Sequence, residues 1–176
     1  AWLPQVCERL TTFAKQIPDG VDFILGNHEY HHDVNKVLDE LKHNTPMNIL
    51  VNSNIQIMGG KQPVYIAGVA YDNDREKEKR EAMIDKALSG IPDYAFVILL
   101  AHHPEFFEEA IERKIPLTLS GHTHGGQIVF MGMPLVPTGT PYTKGRYVEE
   151  QSVCYVNNGS GHWFPIRINC PREITV

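Results

Sequence analysis

Three short apolar runs, Val21 to Leu25, Ala95 to Ala101 and Leu117 to Leu119, each end in a loop that carries histidine. The loops read Gly26-Asn27-His28-Glu29, His102-His103-Pro104 and Gly121-His122-Thr123-His124-Gly125-Gly126. A continuous apolar run bounded by turn residues is the pattern of a strand buried on both faces, as in a parallel sheet covered by helices. Open α/β sheets gather ligand-binding side chains at the carboxyl ends of such strands. The repeated pairing of buried strand and histidine loop therefore constrains the chain to an α/β fold in which three distant segments meet at one crevice.

The segments between these runs agree. Leu3, Val6, Cys7, Leu10, Phe13, Ala14 and Ile17 recur at helical spacing and stop at Pro18-Asp19-Gly20. Val34, Val37, Leu38 and Leu41 fall at i, i+3, i+4 and i+7, a second helix with Pro46 shortly beyond. The period then changes to that of strands over Ile49 to Val51, Ile55 to Met58 and Val64 to Val69, with Gly59-Gly60-Lys61 as a hairpin turn. Asp72 to Asp74 reads as a loop, Arg75 to Leu88 as a helix whose charged run is a solvated face, and Glu105 to Arg113 as a short helix. Short strands follow at Gln127 to Phe130, Tyr147 to Glu149, Val153 to Asn157 and Ile166 to Asn169. Residues 1–176 read as one α/β domain that turns strand-rich toward its end.

Composition removes several classes of function. With 16 Lys+Arg against 21 Asp+Glu, a net charge of −5 and no basic cluster beyond the mixed run 75–81, the chain carries no electrostatic footprint for nucleic acid. Its longest unbroken apolar run, Ala95 to Ala101, is far short of the roughly 18 residues a membrane span needs. Cys7, Cys154 and Cys170 are odd in number and lack C-x-x-C spacing, so they read as core or surface thiols rather than as disulfides or a zinc site.

Five of the nine histidines lie in the three loops, while His31, His32, His43 and His162 read as surface residues. Neutral imidazole together with an amide oxygen suits zinc, manganese or iron. His122 and His124 are two apart on extended backbone, so both face one cavity and each can reach a different ion. Gly-Asn-His-Glu alone is more readily a simple turn. The three loops in this order, each behind a strand, point to a metal site.

These residues resemble the calcineurin-like metallophosphoesterase superfamily, whose ordered motifs are D-x-H, G-D-x-x-D, G-N-H-[DE], a histidine loop and G-H-x-H. Gly26-Asn27-His28-Glu29, Ala101-His102-His103-Pro104 and Gly121-His122-Thr123-His124 match the last three. Gly125-Gly126-Gln127-Ile128, Lys144-Gly145-Arg146-Tyr147, Tyr155 to Gly159, Pro165-Ile166-Arg167 and Pro171-Arg172-Glu173-Ile174 are similar to the bacterial YkuE/YaeI-like phosphodiesterase branch. The resemblance implies a four-layer α/β/β/α sandwich. It also implies a centre of two zinc, manganese or iron ions that hydrolyses a phosphodiester, pyrophosphate or phosphomonoester by attack of a bridging hydroxide. On it, Asn27, His102 and His122 are ligands of one ion and His124 of the other. His28 sits over the phosphate as catalytic residue, Glu29 orients His28 or is structural, and His103 supports the ligands from behind. A lipid- or nucleotide-linked substrate and a bacterial cell-envelope setting are further implications.

The chain holds no D-x-H and no Gly-Asp dipeptide. The expectation is therefore a domain lacking the first strands of its N-terminal sheet, with Ala1 at the edge of a fragment, the Val21 to Leu25 edge left unpaired, and one ion or none bound by this chain alone. Trp163 and Phe164 either line a substrate groove or pack in the core. The alternative reading is a non-catalytic module that binds one ion for structural purposes.

Overall fold

The structure, a computed structural model, describes residues 3–70 and 76–176. The expected loop Asp72 to Asp74 lies outside the described residues, as do Ala1 and the first residue of the expected helix, Arg75. Helices α1 (Leu3–Ala14) and α3 (Val34–Asn44) flank strand β1 (Asp22–Ile24) and a four-residue helix α2 (Asn27–Tyr30). Strands β2 (Asn48–Leu50), β3 (Ser53–Met58) and β4 (Val64–Val69) come next, then α4 (Lys77–Leu88), β5 (Phe96–Ala101), α5 (Phe106–Glu112) and β6 (Leu117–Ser120). A single 3₁₀ turn at His124–Gly126 leads to β7 (Val129–Phe130), β8 (Met133–Pro134), β9 (Gly145–Glu149) and β10 (Ser152–Val156).

The strands form a six-stranded sheet in the order β3-β4-β5-β6-β10-β9 and a two-stranded parallel sheet β1-β2. Inside the large sheet β4, β5, β6 and β10 run parallel, and the outer strands β3 and β9 are antiparallel to their neighbours. Period-two alternation sorts the side chains. Ala67 and Val69 of β4, with Val97, Leu99 and Ala101 of β5, join Ile84 and Ala87 of α4 and Phe106, Phe107 and Ala110 of α5 in one core. Phe23 and Ile49 face Cys7, Val37 and Leu41 of α1 and α3 in a second. Ile24 and Leu50, on the opposite face of the small sheet, meet β4 at Gly68. The layers are thus helix, small sheet, large sheet, helix, the expected four-layer α/β sandwich. No described strand pairs with the second edge of β1.

Gly68 is where the two sheets touch most closely. A Cβ there would lie 2.5 Å from Leu50 Cβ and 2.8 Å from Ile24 Cγ2, well inside contact distance. Overpacking of this kind costs about 1–3 kcal/mol. Gly68→Ala is therefore expected to lower the unfolding free energy by that amount, read as a fall in the urea midpoint, and an unchanged midpoint would show that the small sheet can move away freely.

Some local expectations change. The Gly26 to Glu29 stretch is the start of helix α2 rather than a turn, because Glu29 Oε2 reaches back to accept from Gly26 N at 2.6 Å, closing one orphan donor of the helix. Ile166 to Asn169 is not a strand. Held between Pro165 and Pro171, it makes one bridge, Ile128 with Ile168. Arg80 belongs to no solvated face, being drawn into the interior by Glu109. The three cysteines are free and buried, and burial pushes the Cys154 thiol up to about 11. No helix among the described residues is long and apolar enough to cross a membrane.

Candidate metal centre

The carboxyl ends of β1, β5, β6 and β10 deliver four loops to one edge of the sandwich. From the first comes Asn27, from the second His102, from the third His122. His102 Nε2 lies 2.9 Å from Asn27 Oδ1 and 3.2 Å from His122 Nδ1. Gly26 allows this approach, since a Cβ there would stand 2.9 Å from both Cε1 and Nδ1 of His102. The His102 and His122 rings meet edge to face at a centroid distance of 5.1 Å.

The donor chemistry of this trio is compatible with a metal ion. Nε2 of His102 carries either one proton or one lone pair, and a single proton cannot serve Asn27 Oδ1 and His122 Nδ1 both well. Metal–ligand bonds of about 2.0–2.2 Å place adjacent donors about 3 Å apart, which is the spacing seen here. Burial, followed by the charges of His122, His124 and His28, lowers the His102 pKa to about 3. The ring is therefore neutral across the physiological range, the form that ligates. Only two of the three donors are imidazoles, and among the described residues no group of three His, Cys, Asp or Glu side chains is arranged to hold an ion.

Both histidines of the third loop sit on left-handed backbone, His122 at φ 70° and His124 at φ 50°. That conformation is uncommon for residues other than glycine and costs of order 1 kcal/mol or more, so the surrounding structure must impose it. Thr123 between them is fully buried; its hydroxyl donates to Thr143 O at 2.6 Å and accepts from Gly125 N at 3.3 Å. His103 backs the trio, with its ring 4.4 Å from that of His122 and Nδ1 3.4 Å from Glu105 Oε2. His28 is exposed at the rim, its ring 5.4 Å from that of His31. His31, His32, His43 and His162 are all exposed.

Comparison with known proteins gives the same direction. The chain is 37% identical over 89% of its length to an uncharacterized metallophosphoesterase of Campylobacter jejuni, spanning 41% of that protein. It is 32% identical over 89% of its length to a transmembrane protein with metallophosphoesterase domain of Danio rerio, spanning 38% of it. Over 54% of the chain it is 39% identical to YkuE of Bacillus subtilis, again spanning 38%. The chain belongs to the calcineurin-like metallophosphoesterase family. No family model and no solved structure matches it.

In this metallophosphoesterase chain the His124 ring is engaged by Arg167 and Trp163. Its Nδ1 lies 3.2 Å from Arg167 Nη2, and because a guanidinium can only donate, Nδ1 accepts and the ring proton of the neutral form sits on Nε2. Burial first, then Arg167, His28 and His162, lowers the His124 pKa. Trp163 packs edge to face on the same ring at 5.5 Å, so it lies beside the centre rather than in the core.

Arg167 stands in the run Pro165-Ile166-Arg167, and no periodicity marks it as functional. It also donates to the carbonyls of Asn158, Gly159, Gly161, His124, Cys170 and Pro171, knitting the loop after β10 to the C-terminal segment. The buried Gln127 does the same on the other side, donating to Phe164 O and Ile166 O and accepting from Trp163 N.

Proposed function

We propose that this chain carries the one-ion half of a dinuclear phosphoesterase centre, with Asn27, His102 and His122 as the ligands. The convergence of three lone-pair atoms from three strand-end loops carries this reading. When bound, such an ion supplies Lewis acidity toward a phosphoryl oxygen and makes water acidic enough to react near neutral pH. The chain's own residues fix the geometry. Gly26 lets Asn27 and His102 close up, His103 holds the His122 ring from behind, and the buried Thr123 sets the backbone of both loop histidines.

His28, exposed after β1, is the residue we assign to donate to a phosphoryl oxygen or to the leaving oxygen. His124 belongs to the second ion's site, which one imidazole does not complete. Two-ion hydrolysis of a phosphodiester, pyrophosphate or phosphomonoester is then a property of a longer protein. The chain spans about two fifths of the length of its relatives in C. jejuni and D. rerio. The alternative, a module that binds one ion without catalysis, is favoured by the Arg167 contact that takes up His124 Nδ1.

Calorimetric titration of the chain with Mn²⁺ or Zn²⁺ tests the reading. One ion per chain is the expected result, and none overturns it. Hydrolysis of a generic phosphodiester by a longer protein containing this chain then separates enzyme from non-catalytic module.

A further inference from the structure

The 17 residues from Gln127 to Thr143 contain no charge, and they include the most exposed apolar hairpin among the described residues. Strands β7 and β8 pair Val129 with Pro134 and Phe130 with Met133, leaving Met131 and Gly132 as a two-residue loop. Both loop residues have positive φ, 49° and 82°, the backbone of a type I′ turn. Asn, Asp or Gly normally occupies such positions because the left-handed region penalises other side chains. Here the first position is Met131, 83% exposed, flanked by Phe130 at 60%, Met133 at 66% and Leu135 at 63%. The fold thus tolerates backbone strain in order to place a large apolar side chain in water at a hairpin tip.

The base of the hairpin is rigid. Val129 is buried and donates to Ile168 O at 3.0 Å, Asn169 Nδ2 donates to Val129 O at 3.0 Å, and Leu135 N donates to Ile128 O at 2.8 Å. It follows the His124–Gly126 turn after only two residues, so the tip is mounted on the rim of the candidate metal centre. Exposed Ile168, bridged to Ile128, and Ile166 extend the apolar surface from the base.

We propose that this hairpin is a membrane-surface anchor, its tip seated in the headgroup region of an anionic lipid bilayer. The two-residue strands make a projection of about 7 Å, which suits the roughly 5–10 Å over which interfacial helices bury their apolar face. The same tip is too small for the roughly 800 Å² per partner of a stable protein interface. Charge agrees. From Lys114 to Val176 there are five Lys+Arg against three Asp+Glu, net +2, whereas Ala1 to Arg113 has eleven against eighteen, net −7. The C-terminal segment that carries the hairpin is the one whose net charge an anionic surface attracts. Lys144 comes directly after the uncharged segment, next to Thr143, whose carbonyl is held by Thr123 of the histidine loop.

The test is flotation of the chain with phosphatidylcholine vesicles made with and without phosphatidylglycerol. The wild type is expected to float with the anionic vesicles, and the variant F130S/M131S/M133S to bind them about tenfold or more weakly, with unchanged circular dichroism. Independently, Phe130→Trp adds an emission that should shift to the blue with vesicles and be quenched by lipids brominated on the acyl chains. Equal flotation of wild type and triple variant, an F130W emission indifferent to lipid, or self-association of the wild type that the triple variant abolishes would each overturn the proposal.

Discussion

Replacing His102 by alanine is expected to abolish ion binding by the chain and, in a longer protein that contains it, hydrolysis. His102 is the shared vertex of the trio, since both short contacts, to Asn27 Oδ1 and to His122 Nδ1, are made by its Nε2. Losing an outer-shell partner of a ligand typically costs about 10–100-fold in affinity, so loss of the central ligand should exceed 100-fold. Thermal unfolding provides a readout that does not depend on activity. An ion that binds only the folded chain stabilises it by about 2.7 kcal/mol when present at 100 times its dissociation constant. Wild type should gain that stability on adding Mn²⁺ or Zn²⁺ and His102→Ala should gain none. If the variant is stabilised as much as the wild type, the ion sits elsewhere and the assignment of Asn27, His102 and His122 fails.

The second large effect concerns the helices behind the sheet. Arg80 of α4 binds Glu109 of α5 through Nε at 2.8 Å and Nη2 at 2.7 Å, and the Glu109 side chain is wholly inaccessible to water. Glu108 lies 3.7 Å from the same guanidinium. Among the described residues Glu109 Oε2 is buried with no hydrogen-bond partner, and Arg80 is the cation that compensates the acid there. Removing one member of a buried pair leaves an unpaired charge and costs about 3–5 kcal/mol. Arg80→Ala should lower unfolding stability by that amount, a large share of what holds a protein of this size together. The double variant Arg80→Met with Glu109→Leu should recover most of it, because two apolar side chains carry no desolvation penalty. A single variant as stable as the wild type would show that water reaches Glu109.

Much of the fold was legible because it rests on local pattern. The three apolar runs became β1, β5 and β6, the i, i+3, i+4 stripes became α1 and α3, and the Gly59-Gly60-Lys61 turn joins β3 to β4 as an antiparallel pair. What was misread depends on one side chain overruling composition. Glu29 turns a Gly-Asn stretch into a helix start, and Glu109, 29 positions away, pulls Arg80 out of a charged run into the core.

By itself, then, the sequence determined that three histidine loops follow three apolar strands, and hence that they lie at one edge of an α/β sandwich, because an apolar run, its turn residues and the loop behind it are contiguous in the chain. Only the tertiary structure decided which lone pairs meet. His102 joins Asn27 and His122, from 75 and 20 positions away, while His124, two residues on, turns to Arg167, 43 positions away. Those pairings depend on distances of a few ångströms between segments whose order along the chain says nothing about their separation in space. The exposure of Phe130 and Met131 likewise depends on what packs around the hairpin, which periodicity does not encode.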